Sequence, residues 1–169
     1  ANAKMHYSQF DLNQLINQIC TDYQLLLNSK HVSIKLDTTP IYLTADRDKI
    51  RLLISNLFSN ALKFSPDGAQ IYIKLQVINN KLHLLIADQG SGITNAQFPR
   101  LFTEFYKQPT PENWKIKGSG LGLSLVKEYI TAHHGQIKLL DPDIHYCGAN
   151  FLVILPLTSK IKTINENQT

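Results

Sequence analysis

The chain has 169 residues, 43% of them apolar, which suits one globular domain whose core needs no disulfide or metal staple. Its two cysteines, Cys20 and Cys147, stand far apart in neither metal-ligand nor redox spacing and read as buried or idle thiols of a reducing compartment. The net charge of +4 comes without a dense basic block, which argues against a nucleic-acid face, and no apolar run reaches membrane-spanning length or forms a signal-peptide core.

Residues 1–9 are polar and without period, and read as a linker or the end of a truncated segment. One folded domain is expected over residues 10–157, and a frayed polar tail over 158–169. Leu12, Leu15, Ile16, Ile19, Tyr23, Leu26 and Leu27 recur at helical spacing, with Asp11 and Gln14 placed as a capping box. Short strands follow at Val32 to Leu36 and Ile41 to Thr44, and Asp46 caps a second helix that reaches Phe64. Ile71, Ile73, Leu75 and Val77, then Leu82, Leu84 and Ile86, alternate with polar residues around the turn pair Asn79-Asn80, the pattern of a β-hairpin. Gln89 to Lys117, interrupted by glycine and proline, is irregular, and so long a loop within a compact domain points to function. A helix is predicted from about Gly120 to His134 with Gly135 at its C-cap, then strands near Gln136 to Leu140 and Asn150 to Leu155. Helices kept apart from hairpin-connected strands imply an α+β two-layer sandwich, with helices on one face of a mixed sheet.

Three segments carry chemistry. On a helical wheel Asn56, Asn60 and Lys63 share one narrow stripe beside the apolar stripe of Ile50, Leu53, Leu57, Ala61 and Phe64. Amide oxygens can ligate a hard cation such as Mg²⁺ and an ammonium can meet phosphate, although a solvated polar stripe would look the same. Asp88 ends the apolar run Leu84 to Ala87 and precedes Gln89-Gly90-Ser91-Gly92-Ile93, so a buried carboxylate there needs donors that a ligand amine could supply. Gly118-Ser119-Gly120-Leu121-Gly122-Leu123 opens the next helix, where free backbone amides make an anion site. It is neither a Walker A loop nor a dinucleotide fingerprint.

Taken in order, Asn56 to Ser65 (NLFSNALKFS), Asp88 to Gly92 (DQGSG), Phe102 to Tyr106 (FTEFY) and Gly118 to Gly122 (GSGLG) resemble the N, G1, F and G2 boxes of sensor histidine kinases. His133 and Gly135 stand where that family often has a His-Gly-Gly run, and the resemblance covers about residues 10 to 156. It implies the Bergerat ATP-binding fold of the GHKL group, with a mobile ATP lid between the two glycine boxes. By the same resemblance Asn60 would ligate Mg²⁺, Lys63 would contact the phosphates, and Asp88 would accept from the adenine amino group. Gly90 and Gly92 would shape the adenine pocket, and Gly118, Gly120 and Gly122 would hold the lid end near the triphosphate. Phe102 and Phe105 would anchor the lid or simply pack in the core. Asn56, Phe64, Ile93, Lys117, Ser119, Leu121 and Leu123 complete the expected ATP-binding set, with Asn56, Asn60 and Lys63 as the catalytic ones. Ala149 follows Gly148 where the family often has Ser or Thr, so an auxiliary hydroxyl at the adenine site is missing.

The implied reaction transfers the γ-phosphoryl group of Mg·ATP to a histidine on a dimerisation segment outside this chain, for relay to a response regulator receiver domain. His6 is followed by Tyr7 rather than an acidic residue, so it does not resemble the family's phosphoacceptor. The implied parent is a homodimer, often anchored in the inner membrane, with this domain in the cytoplasm and touching neither membrane nor nucleic acid. The rival on the same fold, an ATPase or serine kinase, typically has Glu four residues before the magnesium Asn. Asn56 occupies that place and takes no proton at neutral pH. A non-catalytic docking module, the rival from another class, would show degraded boxes, whereas Asn60, Lys63, Asp88 and the glycines are all present.

Overall fold

Period-two alternation of apolar residues builds the sheet, and period-3.6 stripes build the layer that covers it. A computed structural model describes residues 4–103 and 122–158. The chain runs β1 (Tyr7–Asp11), α1 (Leu12–Asp22), α2 (Gln24–Lys30), β2 (Ser33–Asp37), β3 (Tyr42–Asp46), α3 (Arg47–Phe64), β4 (Gln70–Ile78) and β5 (Lys81–Ala87). It continues through α4 (Phe98–Leu101), α5 (Gly122–Ala132), β6 (Gln136–Leu140) and β7 (Asn150–Pro156).

Five strands form one sheet in the order β2-β4-β5-β7-β6. Only β2 and β4 are parallel, with Ser33 opposite Gln70, and the other pairs are antiparallel, so the sheet is mixed. Asn79 and Asn80 both take positive φ, 51° and 62°, as a two-residue hairpin turn demands and asparagine tolerates. Ile71, Ile73 and Leu75 on β4, Leu82, Leu84 and Ile86 on β5, and Phe151, Val153 and Leu155 on β7 are buried in alternate positions facing the helices.

The helical layer starts where carboxylates stop the strands. Asp11 accepts from the Asn13 amide at 2.9 Å and from the Gln14 amide, and Leu12, Leu15, Ile16 and Ile19 of α1 are buried. Asp46 caps α3 through the Lys49 amide, and seven α3 side chains from Ile50 to Leu62 join the same core. At the other end of α3, Lys30 Nζ donates to the carbonyls of Leu62 at 2.8 Å and Ser65 at 2.7 Å, satisfying acceptors that the last turn leaves open. The expected α+β sandwich with a mixed sheet is therefore present.

Four local features differ from expectation. The helical stretch after Asp11 breaks at Tyr23 (φ −95°, ψ 7°), whose ring meets Phe58 edge-on at 5.3 Å, yet the apolar stripe continues across the break. Strand β1 starts at Tyr7, within the stretch read as a linker; it pairs with β3 but buries no residue of its own fully, so it imposes no apolar period. The four-residue α4 is too short to show a helical period and lies inside the predicted irregular segment. The left-handed position after α5 is His134 (φ 57°), not Gly135; Gly135 is required instead because a Cβ there would come 2.6 Å from the Ile154 carbonyl.

His133 is fully buried and joins three elements. The Asp46 amide can only donate, so Nε2 is its acceptor (3.1 Å), and Nδ1 carries the proton given to the Tyr129 carbonyl at 2.6 Å. Asp46 also accepts from the His6 amide, which ties β1, α3 and α5 together. Burial pushes the His133 pKa below 6.5. Its contribution to stability is therefore full above 6.5, the unfolded value, and is lost as pH falls through the lower folded value. His133→Leu should cost about 1–3 kcal/mol in urea unfolding at pH 7.5 by leaving Asp46 N–H and Tyr129 C=O unpaired. The difference from wild type should shrink when unfolding is repeated near pH 5.

Candidate functional site

Steps of four and three residues set Asn56, Asn60 and Lys63 along one side of α3, all half-buried, next to the buried Leu53, Leu57 and Ala61. Burial lowers the pKa of the Lys63 ammonium, whose Nζ lies 5.3 Å from the centre of the Phe64 ring. A partly desolvated ammonium gains from an anionic partner. Gly122, the first residue of α5, abuts this stripe: a Cβ there would come 3.1 Å from Asn56 Oδ1.

Asp88 follows the last residue of β5 and is 3% exposed. Its Oδ1 accepts from the Gly90 amide at 2.9 Å and from the Ala149 amide at 3.1 Å. The backbones cross as well, with Asp88 N–H to the Ala149 carbonyl at 3.1 Å and Gly148 N–H to the Asp88 carbonyl at 3.0 Å. A Cβ on Gly148 would overlap Asp88 Oδ1, and one on Gly90 would come 2.6 Å from the Phe64 carbonyl. Both glycines are thus fixed by close approach. Burial raises the Asp88 pKa to about 6, against the two amide hydrogen bonds, which lower it. Oδ2 makes no hydrogen bond to a described residue, so it can accept from a ligand amine.

The structure thus brings Phe64, Asp88, Gly90 and Ala149 into one cluster and Asn56 and Gly122 into another, joined by the last turns of α3. A cleft of about 370 Å³ opens beside the first cluster, with Lys63, Phe64 and Gly90 in its walls together with Lys30, Ser65, Gln89 and Ser91. Gly92 takes φ +80° and faces the Cys147 carbonyl. Ile93, Phe102 and Leu123 are partly buried against the core, and Phe98 meets Phe102 edge-on at 5.2 Å. Phe102 is therefore at least a packing residue. Phe105, Lys117, Gly118, Ser119, Gly120 and Leu121 lie outside the described residues, as does most of the expected lid.

Gly148 and Ala149 stand out in the sequence only for the missing hydroxyl, not for the close backbone approach and the amide contact to Asp88. Ala149 lacks the hydroxyl often found at its position, yet its backbone N–H serves Asp88 directly. An isolated glycine two residues before a strand is the available signal of close backbone approach. Lys30, which closes the end of α3, left no local signal because its partners are 32 and 35 residues away.

A mixed sheet covered by helices on one face, with a buried strand-end carboxylate beside a helix carrying carboxamides and an ammonium, defines a nucleotide-binding α+β sandwich. The model of the family described as histidine kinase-, DNA gyrase B- and HSP90-like ATPases matches residues 45–159. The sensor histidine kinase TmoS of Ectopseudomonas mendocina is 34% identical over 158 residues, which are 92% of this chain and 16% of TmoS. The hybrid signal transduction histidine kinase D of Dictyostelium discoideum is 32% identical over 175 residues, 96% of this chain and 11% of that protein. The nucleotide-free catalytic domain of histidine kinase ThkA superposes with a TM-score of 0.78 at 23% identity, covering 92% of this chain and 98% of that domain. The chain belongs to the histidine kinase-, DNA gyrase B- and HSP90-like ATPase family, as an ATP-binding catalytic domain of the sensor histidine kinase type. It spans well under a fifth of the length of these two relatives.

The raised Asp88 pKa has a consequence for stability. The unfolded carboxyl ionises near 3.8, so the folded protein binds the proton more tightly, and that advantage is lost as pH rises through about 6. The shift corresponds to about 3 kcal/mol of cost to the ionised fold at pH 7–8. Asp88→Asn should therefore raise the stability of the nucleotide-free protein by about 1–3 kcal/mol at pH 7.5 and bring little gain below pH 4. Thermal unfolding at the two pH values checks this.

Proposed function

We propose that this domain holds Mg·ATP and presents its γ-phosphoryl group to a histidine imidazole on a dimerisation segment of the parent kinase. Asp88 accepts from the adenine amino group, Lys63 meets the phosphates, and Asn60 supplies an amide oxygen to Mg²⁺. The donor set suits that ion. Among the described residues no group of three or more His, Cys, Asp or Glu gathers to hold a metal, so the ion would rest on phosphate oxygens, water and one amide. Bound there, Mg²⁺ neutralises charge that develops on the transferring phosphoryl group.

The observation that carries the choice of reaction is Asn56, set against the start of α5. A water or serine nucleophile needs a base near the γ-phosphate, and a carboxamide cannot take that proton. An imidazole brings a free lone pair and needs less help from a base. Asn56 thus favours phosphoryl transfer to histidine over the ATPase and serine kinase chemistries of the same fold.

The remaining assignments follow from that reading. The parent acts as a homodimer and passes the phosphoryl group to a response regulator receiver domain, in line with ThkA, which has been solved in complex with the response regulator TrrA. No helix among the described residues is long and apolar enough to cross a membrane. A cytoplasmic setting belongs to the proposed relay to a response regulator.

Mixed with labelled Mg·ATP and the parent's dimerisation segment, the domain should place acid-labile phosphate on that segment. Alone it should hydrolyse ATP slowly and stay unlabelled. Asn60→Ala should lower transfer about a hundredfold or more. Brisk hydrolysis, or rapid labelling of the isolated chain, would contradict this function.

A further inference from the structure

Residues 141–149, which connect β6 to β7, deliver the Gly148 and Ala149 backbone to Asp88, yet they are held from the opposite side of the sheet. Asp143 Oδ1 accepts from the amides of His145 and Tyr146, both at 2.7 Å, which turns the loop back on itself. Asn150 Nδ2 donates to the Tyr146 carbonyl at 3.2 Å. The 8%-exposed Tyr146 ring stacks on Tyr72 of β4 with centroids 5.2 Å apart, and its hydroxyl donates to Gln70 Oε1 at 2.7 Å. Gln89 adds a second tie: Oε1 accepts from the Gln70 amide and Nε2 donates to the His145 carbonyl, each at 2.9 Å.

None of these side chains bonds to the Asp88 carboxylate, although Gln89 lines the cleft beside it, and each fixes the loop two to four residues from the amides that grip Asp88. We propose that Tyr146, supported by Gln89, is a positioning residue for the nucleotide site. From the outer face of the sheet it holds Gly148 and Ala149 so that Asp88 Oδ1 is occupied and Oδ2 is left to select adenine. The proposal rests on Asp88 being the adenine acceptor.

The chemistry that would report a loosened loop is the titration of Asp88 itself, since the amide hydrogen bonds favour its charged form. The charged and titratable side chains on the surrounding elements are Lys63, Asp67, Tyr72, Asp143, His145 and Cys147. Burial raises the Asp88 pKa, and the Gly90 and Ala149 amides lower it.

The test compares wild type, Tyr146→Phe, Tyr146→Ala and Asp88→Asn. The Asp88 carboxyl carbon is titrated by NMR without nucleotide, and ATP affinity is measured by calorimetry at pH 7.5. The wild-type midpoint should lie near 6. Tyr146→Phe, which keeps the stacking and loses one bond, should raise it slightly, and Tyr146→Ala should raise it further with ATP binding weakened about threefold to thirtyfold. A fold merely made less stable would leave the midpoint in place, so an unmoved midpoint in Tyr146→Ala overturns the proposal while leaving the Asp88 assignment intact. If Tyr146→Ala does not fold, Tyr146→Phe combined with Gln89→Met takes its place under the same criterion. Unchanged ATP affinity in Asp88→Asn overturns the assignment and the proposal together.

Discussion

A carboxylate at the end of a buried strand can stay charged only if the backbone gives it donors, and that requirement at Asp88 organises the site. Two amides meet one oxygen, and two glycines allow them to come close enough. β5 must therefore lie beside β7 in its observed register, with Ala87 opposite Asn150, so that the next residue of each chain segment meets. The chain tolerates a carboxylate that resists ionisation, which is the mark of a group kept for binding rather than for stability. On the proposed reading, the amino group of adenine would supply the donor that the fold withholds from Oδ2.

The second half of the site depends on α3 as a rigid arm. Its first turn is fixed by Asp46, which His133 and the His6 amide hold in place, and its last turn is closed by Lys30. Between these anchors the stripe of Asn56, Asn60 and Lys63 can keep its position relative to Asp88 without any of the three entering the core. Such a layout separates tasks. In the proposed function the strand end would read the base and the helix edge would handle phosphate and metal, since uncharged amides and a partly desolvated ammonium suit a triphosphate carrying Mg²⁺. Asn56 stands on that helix edge as a carboxamide rather than a base, which in the proposed function favours a nucleophile with a free lone pair.

Much of this was legible in the sequence because the signals were local. Period-two runs gave β4 and β5, Asp11 and Asp46 marked the starts of α1 and α3, and the wheel of α3 separated the polar stripe from the core. Asp88 stood out as a charge at the end of an apolar run. The features that escaped are those whose partners are distant in the chain. β1 pairs with β3 but has no fully buried residue, so it shows no period. Tyr23 interrupts a helix while the apolar stripe carries on across it. Gly148 and Ala149 serve Asp88 from 60 and 61 residues away through backbone atoms, where side-chain identity says little. The missing hydroxyl at Ala149 drew attention to its side chain, whereas its amide makes the contact.

The central claim is that Asp88 selects the base by accepting from its amino group. The most direct measurement compares ATP with inosine triphosphate, in which a carbonyl oxygen replaces that group, by calorimetric titration at pH 7.5. Wild type should prefer ATP by about tenfold or more, because two acceptors would otherwise face each other in a buried site. Asp88→Asn, which offers a donor in place of one oxygen, should bring the two nucleotides level or reverse the order. Equal affinity of the wild-type domain for both nucleotides would contradict the account.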